Sequence, residues 1–227
     1  MIMLKKFKSI YKLLLISILA TFALLSQVNA MDGKKFIEVG FGIAGGHSNG
    51  VFTGTNTKYT NHDLDETYKL DFAVGLQSEI KNIKVDYILS VSPRPVDNDI
   101  GTNKRCPSAA FTCELYIKKI VEFGIKAYLP GDIAGIVPAI YIGAASGEIN
   151  IESKNSSTGA YELMNERTLG AAAGISLNKD LSDTTGISLD YKHTMFDRFS
   201  VPTNTPFDAK NVHPDLKVLT LRYKKFF

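Results

Sequence analysis

The sequence predicts an all-β fold, an eight-stranded antiparallel up-and-down β-barrel that crosses a membrane with its strands. Three observations support this prediction. Apolar residues alternate with small or charged residues in one segment after another, as in strands whose successive side chains point to opposite faces. The connections between these segments are alternately long and short. Beyond residue 30, no apolar run approaches the roughly 20 residues that a membrane-spanning helix needs.

The N-terminal segment has the composition of a secretory signal peptide. An uncharged apolar run over residues 13–25 follows four lysines, Lys5, Lys6, Lys8 and Lys12. Val28 and Ala30 then provide a small-residue cleavage site, so residues 1–30 are predicted to be removed and 31–227 to form one barrel domain. The alternative is a permanent anchor, for which the run is short. Four of the basic residues that contribute to the net charge of +3 lie in the signal peptide. The charge therefore gives no argument for nucleic-acid binding.

The hairpin predicted over residues 167–196 shows the alternation most clearly. On its first arm, small residues separate Leu169, Ala171, Ala173, Ile175 and Leu177. On its second arm, small and charged residues separate Ile187, Leu189, Tyr191 and Met195. The segment 178–185 between them is rich in Asn, Asp and Ser and is predicted to form the turn. Each arm therefore has one apolar face and one small or charged face.

Six further segments repeat this pattern and bring the predicted strands to eight. They lie at residues 35–44, 67–77, 83–91, 114–129, 135–144 and 215–227. Pro138 lacks a backbone N–H, so we expect a local irregularity in the fifth predicted strand. The side chains predicted to face outward include Ile37, Val39, Phe41, Ile43, Leu70, Phe72, Val85, Leu115, Ile117, Phe123, Ile140, Leu219, Leu221 and Tyr223.

The connections differ in length between the two ends of the predicted barrel. Long connections lie at residues 45–66, 92–112, 146–166 and 197–214, and short ones at 78–82, 130–132 and 178–185. A membrane barrel has this asymmetry because its two ends face different compartments. The alternative is a soluble β-sandwich, which would turn its apolar face inward and has no reason to collect its short turns at one end.

Two cysteines, Cys106 and Cys113, lie in and next to the second long connection. An exported chain meets an oxidising compartment, so we expect a disulfide between them. The alternative is a pair of free thiols. Two cysteines do not supply the four ligands of a structural zinc site, and the sequence predicts no metal site and no cofactor.

Charged residues of both signs occupy the face that the barrel would enclose. An eight-stranded barrel is just wide enough for side chains to fill its interior, so these charges should pair with one another. We expect a network of ion pairs that plugs the barrel, and the alternative is a selective pore lined by the same residues. The predicted network comprises Glu38, Lys69, Asp71, Lys84, Asp86, Lys118, Glu122, Lys126, Asp190, Lys192, Arg222 and Lys224.

Four stretches resemble the porin-family outer-membrane β-barrel proteins, a group that includes opacity-type surface antigens and small eight-stranded barrels. They are FIEVGFGIAGG at 36–46, PAIYIGAASG at 138–147, GAAAGISLNKDLSDTTGISLDYKHTMF at 170–196 and the C-terminal VLTLRYKKFF. The last stretch resembles the signal read by the outer-membrane assembly machinery, with Leu219, Leu221, Tyr223 and Phe227 in one register. Lys225 departs from that signal, because an aromatic residue is usual at its position.

The resemblance implies a monomeric outer-membrane protein of a Gram-negative bacterium, with four extracellular loops. Its expected role is structural or lies in adhesion and host contact. The expected partners are outer-membrane lipids and lipopolysaccharide, the assembly machinery and host surface molecules. The alternatives are a narrow channel for small solutes and a lipid A-modifying enzyme.

An enzyme would need a nucleophile within reach of a base, and His47, Ser48 and His193 are the candidates. His47 and Ser48 are adjacent, so on a strand they would point to opposite faces. We therefore assign His47 to a loop and His193 to the membrane interface, and we predict no catalytic residues.

Overall fold

The computed structural model of the chain describes residues 33–52, 58–92, 100–101, 111–155, 158–159, 161–200 and 209–227. Within these ranges, the side chains of 50–52, 58–65, 100–101, 111–114, 118, 151–155, 161–164 and 209–210 are not described. The chain divides into two units, residues 1–34 and residues 35–227. The predicted signal peptide, 1–30, lies outside the described residues and stays a prediction. Among the residues described, no helix is long and apolar enough to cross a membrane.

In the part of the chain that the structure describes, nine strands form one antiparallel sheet. They are β1 (Lys34–Phe52), β2 (Lys58–Ile80), β3 (Ile83–Ser92), β4 (Ile100–Gly101), β5 (Phe111–Tyr128), β6 (Val137–Asn155), β7 (Tyr161–Ser182), β8 (Thr185–Phe196) and β9 (Ala209–Phe226). Eight of them pair in the order β3–β2–β1–β9–β8–β7–β6–β5, and pairing of β3 with β5 closes the ring. β4 has only two residues and pairs with β5 beyond the end of β3. This closed ring confirms the predicted eight-stranded antiparallel barrel.

Three short turns lie at one end of the barrel, which we call the turn end. Lys81 and Asn82 join β2 to β3, and their φ angles of 49° and 64° are those of a two-residue type I′ turn. Ala134 and Gly135, with φ of 56° and 76°, make a similar turn within the β5–β6 connection. Residues 183–184 join β7 to β8. The opposite end, which we call the loop end, receives the connections that follow β1, β3, β6 and β8.

The strands extend farther toward the loop end than the sequence predicted. β1 continues to Phe52 and β2 begins at Lys58, so most of the predicted loop 45–66 is strand. β6 and β7 convert most of 146–166 into a paired hairpin, and β9 begins within the predicted loop 197–214. These extensions were not predicted because they are rich in polar residues and glycines. Strand pairing can continue in segments that have no apolar face. His47 therefore lies in β1, and its assignment to a loop was wrong.

A β-bulge in β5 reverses the facing of its first residues. The register with β6 passes from Ile117↔Ile149 to Lys119↔Glu148, so Lys118 is opposite no residue of β6. One extra residue moves the side chains on one side of it to the other face of the sheet. Leu115 and Ile117 are therefore buried inside the barrel, and their predicted outward facing was wrong. Phe123, beyond the bulge, is exposed on the outer face as predicted.

The outer face next to the turn end carries a band of exposed apolar side chains. Ile142 is 61% exposed and Ile175 is 63% exposed, although both are large and apolar. Side chains predicted to face outward that are exposed in this band include Ile37, Val39, Phe41, Ile43, Phe72, Ile140, Leu189, Leu219, Leu221 and Tyr223. Val85 departs from the prediction, because it is buried together with its cross-strand partner Ser78.

Pro138 causes no irregularity, contrary to the prediction. It is the second residue of β6, and the register with β7 passes through Pro138↔Leu177 without a shift. Its C=O accepts a hydrogen bond from the N–H of Leu129 at 2.9 Å. Since the N and C=O of a strand residue point to the same side, the N of Pro138 faces Leu129, the residue directly after β5. The one hydrogen bond that Pro138 cannot donate therefore lies at the very end of the β5–β6 pairing.

Candidate functional site: the paired interior

Among the described residues, ten charged side chains are buried together inside the barrel, and we call them the charge layer. Five are acidic and five are basic, so the layer is neutral when all of them are ionised. The charged group of each lies within 3.3 Å of an oppositely charged group. An unpaired charge would be costly here, so this balance is what allows the barrel to enclose them. The members are Glu38 (β1), Lys69 and Asp71 (β2), Asp86 (β3), Glu122 and Lys126 (β5), Asp190 and Lys192 (β8), and Arg222 and Lys224 (β9).

Arg222 is the centre of the charge layer, because it contacts carboxylates from three other strands. Its Nη2 donates a hydrogen bond to Asp71 Oδ2 at 2.7 Å, and its Nε lies 2.7 Å from Asp190 Oδ2. Its Nη1 lies 3.8 Å from Glu38 Oε2. A guanidinium has five N–H donors in a rigid fork, which lets one side chain serve several acceptors. Arg222 thus links β9 to β1, β2 and β8.

Two further pairs join β5 to β8, and a third lies within β2. Lys126 on β5 reaches across to β8, and Lys192 on β8 reaches back to β5. The pairs are Lys69–Asp71 at 3.0 Å, Lys126–Asp190 at 3.3 Å and Lys192–Glu122. Hydroxyl groups complete the coordination of the carboxylates: Ser90 donates to Glu122 at 3.4 Å, and Thr194 donates to it at 3.2 Å. The interior is therefore crosslinked by polar contacts across its width.

Phe36 and Phe226 close the interior at the turn end. Their rings meet edge to face, with centroids 5.8 Å apart. Lys224 lies against them, since its Nζ is 3.9 Å from the centroid of Phe36. The same amine pairs with Glu38 at 3.2 Å and with Asp86. The two rings therefore cover the charge layer and contribute cation–π attraction to its last lysine.

An apolar cluster closes the interior on the other side of the charge layer. The β1–β9 register gives the order along the barrel: Glu38↔Lys224, Gly40↔Arg222, Gly42↔Thr220, Ala44↔Val218 and Gly46↔Leu216. The chain therefore passes from charged to apolar interior positions toward the loop end. The cluster comprises Ala44, Leu115, Ile117, Ile120, Ala145, Ile149, Phe196, Val212, Leu216 and Val218. The charge layer thus lies between two apolar closures.

The large, uncharged side chain of Tyr141 fills the interior beside β5 and β6. Gly124 and Gly143 are directly opposite each other in the β5–β6 pair, and the phenol of Tyr141 packs over both. A Cβ at either glycine would overlap the Tyr141 ring or hydroxyl. Lys192 Nζ lies 5.1 Å from the centroid of this ring. The small residues on these strands are therefore needed to admit a large side chain from a neighbour.

Outside the barrel, on the loop-end side of the apolar band, two histidines share one carboxylate. Asp215 on β9 lies directly opposite His47 on β1, and its Oδ2 is 3.1 Å from His47 Nε2. The same oxygen is 3.2 Å from His193 Nε2 on β8. The backbone N–H of His47 also donates to Asp215 Oδ1 at 3.1 Å. Ser48 is buried on the inner face, so His47 and Ser48 point to opposite sides of the wall.

Sequence reasoning missed this cluster of two histidines and an aspartate. The three residues are 168 and 22 positions apart, and only the register of β1, β9 and β8 brings them together. A sequence shows the facing of each residue but not the shear of the barrel that sets the register. Within the described part of the chain, no group of three or more His, Cys, Asp or Glu side chains is arranged to hold a metal ion.

The outer and inner faces of the wall have opposite character: an exposed apolar band outside and paired charges inside. In the closed ring, each of the eight strands also pairs with a neighbour on both sides, so the wall makes its backbone hydrogen bonds internally. Both properties are what a lipid bilayer requires of a protein that spans it with strands. The fold is that of an outer-membrane β-barrel.

The chain is similar to several solved outer-membrane proteins. Neisserial surface protein A is 12% identical, with a TM-score of 0.35, over 85% of this chain and 97% of its own. Ail, the attachment invasion locus protein of Yersinia pestis, is 15% identical, with a TM-score of 0.39, over 86% of this chain and 99% of its own. A major outer membrane protein from Thermus thermophilus is 10% identical, with a TM-score of 0.49, over 84% of this chain and 99% of its own. These similarities concern the fold alone. No protein-family model and no curated protein matches the chain.

The structure brings ten residues of the predicted network together and separates Lys84 from them. Lys84 is exposed at the turn end, with its Nζ 3.6 Å from Asp180, so its predicted place in the network was wrong. It is the second residue of β3, where the strand is only beginning to enter the barrel. The side chain of Lys118 lies outside the described residues.

Two other predicted features concern the cysteines and the C-terminal strand. Cys106 and the side chain of Cys113 lie outside the described residues, so the disulfide stays a prediction. The residues of the assembly signal, Leu219, Leu221, Tyr223 and Phe227, are all exposed. Lys225 is exposed as well, and its Nζ lies 3.0 Å from Thr184 Oγ1 at the turn end. Recognition of this strand by assembly machinery remains a prediction.

Proposed function

We propose that the protein is an integral outer-membrane protein with a structural role and a role in contacts at the cell surface. The observation that carries the proposal is the inverted polarity of the wall, with apolar side chains outside and paired charges inside. In a soluble barrel, the same apolar side chains would be expected inside. With the turn end in the periplasm, the loop end is extracellular, as expected of a chain whose N-terminal strand starts on the periplasmic side.

The lengths of the strands support a role at the cell surface. β2 has 23 residues and β7 has 22, whereas roughly 9–11 residues suffice for a strand to cross the membrane. The hairpins β1–β2 and β6–β7 therefore extend well beyond the apolar band toward the loop end. Among the side chains that the structure describes there, outward-facing ones include the charged Arg167, whose Nη2 lies 3.9 Å from Glu148 Oε2. Stiff polar hairpins of this kind are suited to contacts with host surface molecules.

The interior weighs against the alternative of a channel for small solutes. The charge layer is neutral and paired, and apolar side chains cover it on both sides. A selective pore would instead leave its charged residues accessible to water and ions. The alternative of a lipid A-modifying enzyme has no support from His47 and Ser48, which point to opposite faces. We propose no catalytic role.

The proposed partners follow from the surfaces of the barrel. Outer-membrane lipids and lipopolysaccharide would contact the apolar band, and the assembly machinery would read the strand that ends at Phe227. Each of the eight strands of the ring pairs with two neighbours of the same chain, so the protein is proposed to be a monomer.

A trimmed hairpin tests the proposed function. In this variant an Asn-Gly turn replaces residues 150–165 and joins the cross-strand partners Ile149 and Glu166. Bacteria that lack the gene would be complemented with the wild type or with the trimmed variant. We expect both proteins to restore detergent resistance and only the wild type to restore binding to host cells. Neither protein should produce conductance steps in planar lipid bilayers.

Three results would contradict the proposal. Stable conductance steps with the wild-type protein would favour the channel. Host-cell binding by the trimmed variant at the wild-type level would remove the hairpin from surface contacts. Recovery of the protein in the soluble fraction of cells would contradict the membrane location itself.

A further inference from the structure

The histidine cluster lies just beyond the apolar band, at one level on three neighbouring strands. The last apolar row across β1, β9 and β8 is Ile43, Leu219 and Tyr191. The next rows toward the loop end are Gly45, Lys217 and His193, and then His47, Asp215 and Met195. If the barrel lies in the membrane as proposed above, the headgroups of the outer leaflet surround this level. Residues here therefore contact lipid phosphates rather than acyl chains.

The hydrogen bonds of the cluster determine what each imidazole can offer to a ligand. An ionised carboxylate only accepts, so the Nε2 atoms of His47 and His193 carry the protons of their bonds to Asp215. In the neutral ring Nδ1 is then an acceptor, and it has no proton to donate to a phosphate oxygen. Protonation adds one N–H donor at Nδ1 and one positive charge, while the bond to Asp215 is kept. Asp215 thus holds the two rings in place in both states.

The charges around the cluster change sign when its histidines are protonated. The described charged groups on this part of the outer face include two basic and three acidic side chains. Their net charge is −1, and protonation of three histidines changes it to +2. On β7, the outward residues beside β8 are the uncharged Ala171 and Ala173. The groups are Glu66 on β2, His47 on β1, His213, Asp215 and Lys217 on β9, His193 on β8, and Asp197 and Arg198 after β8.

We propose that His47, His193, His213, Asp215 and Lys217 form a binding site for the phosphate group of a membrane lipid. The site, which we call the histidine patch, is engaged when its imidazoles are protonated. Lys217 is directly opposite His193 and is exposed. Its amine therefore provides a permanent positive charge beside those of the protonated histidines. The ligand is a lipid phosphate rather than a free anion, because the patch borders the apolar band, where a bound lipid can place its acyl chains.

Nanodiscs of phosphatidylcholine with a minor share of phosphatidylglycerol provide the test. Phosphatidylglycerol is a suitable probe because its phosphodiester keeps one negative charge between pH 5.5 and pH 8. Native mass spectrometry would count the phosphatidylglycerol molecules retained by the folded barrel. Lowering the pH should raise the retention by the wild type roughly 5- to 25-fold, the effect of one or two added charges near a lipid surface. The double variant His47→Gln/His193→Gln removes both imidazoles held by Asp215 and keeps only His213, so it should lose most of this rise.

The controls separate this site from general attraction and from the proposed function. Lys119→Gln removes an exposed base on β5, away from the patch, and should behave as the wild type. The single variants His47→Gln and His193→Gln should each lose part of the rise, which keeps the test decisive if the double variant does not fold. Failure of the wild type to enter nanodiscs would contradict the membrane location.

Two outcomes would overturn the site itself while leaving the membrane location intact. One is an equal rise in the double variant and the wild type. The other is full displacement of the lipid by inorganic phosphate at equal concentration, which would mean that the acyl chains contribute nothing.

Discussion

At the scale of single residues, Arg222 contacts more carboxylates than any other described residue of the charge layer. Its guanidinium lies within 3.8 Å of three carboxylates. Removing one partner of a buried ion pair leaves uncompensated charge, which typically costs about 3–5 kcal/mol. We therefore expect Arg222→Gln to lower the free energy of unfolding by about this amount. The measurement is urea unfolding in lipid vesicles, followed by gel mobility.

Lys84→Gln is the matched control for Arg222→Gln. Lys84 is an exposed base in a loose ion pair with Asp180 at 3.6 Å, so its loss should change stability by less than about 0.5 kcal/mol. The double variant Arg222→Gln/Asp71→Asn should lose less stability than the two single variants lose together. Each change removes the charge that the other change would leave unpaired. Equal effects of Arg222→Gln and Lys84→Gln would show that the charge layer does not hold the barrel together.

The facing of single residues was largely predictable from the sequence, and their partners were not. Leu189 and Asp190 were assigned to the correct faces because a strand alternates regardless of what it pairs with. That Asp190 would meet both Lys126 and Arg222 depends on the register of strands far apart in sequence. The histidine patch was missed for the same reason.

At the scale of strands, the bulge in β5 is the feature that alternation could not reveal. Lys118 is the extra residue, and it lets Leu115 and Ile117 enter the apolar cluster that closes the interior. The sequence prediction kept one alternation on both sides of Lys119, although this residue breaks the pattern, and so placed both side chains outside. The lengths of the strands were missed as well, because polar residues beyond the apolar band carry no signal of burial.

Deletion of Lys118 tests the structural role of the bulge. Without the extra residue, Ile117 and Lys119 become neighbours, and regular alternation keeps Leu115 and Ile117 inside and Lys119 outside. We therefore expect the deletion to lower the free energy of unfolding by less than about 2 kcal/mol, the lower figure for emptying one buried Leu or Ile site. Lys118→Ala keeps the bulge and should change stability by less than about 0.5 kcal/mol. If β5 had no bulge, the deletion would turn the residues on one side of it to the other face, and a loss of at least about 4 kcal/mol would therefore contradict the bulge.

At the scale of the whole molecule, closure of the ring is the property on which the other features depend. Pairing of β1 with β9 joins the two ends of the barrel chain, and pairing of β3 with β5 completes the circuit. The C-terminal backbone takes part, since the N–H of Phe227 donates to the C=O of Lys35 at 3.0 Å. A closed ladder has no edge from which unfolding can start, so the barrel should resist detergent until it is heated.

Detergent gel electrophoresis tests this closure directly. The unboiled protein should migrate as a compact form, and boiling should convert it to a slower or faster unfolded form. Truncation before Val218 removes the half of β9 that pairs with β1 and β8 near the turn end, so both neighbours acquire an edge. This truncated protein should migrate identically with and without boiling. Removal of residues 1–30, the predicted signal peptide, should leave the shift intact. A shift that survives the truncation, or that is absent from the refolded full barrel, would contradict a closed ring.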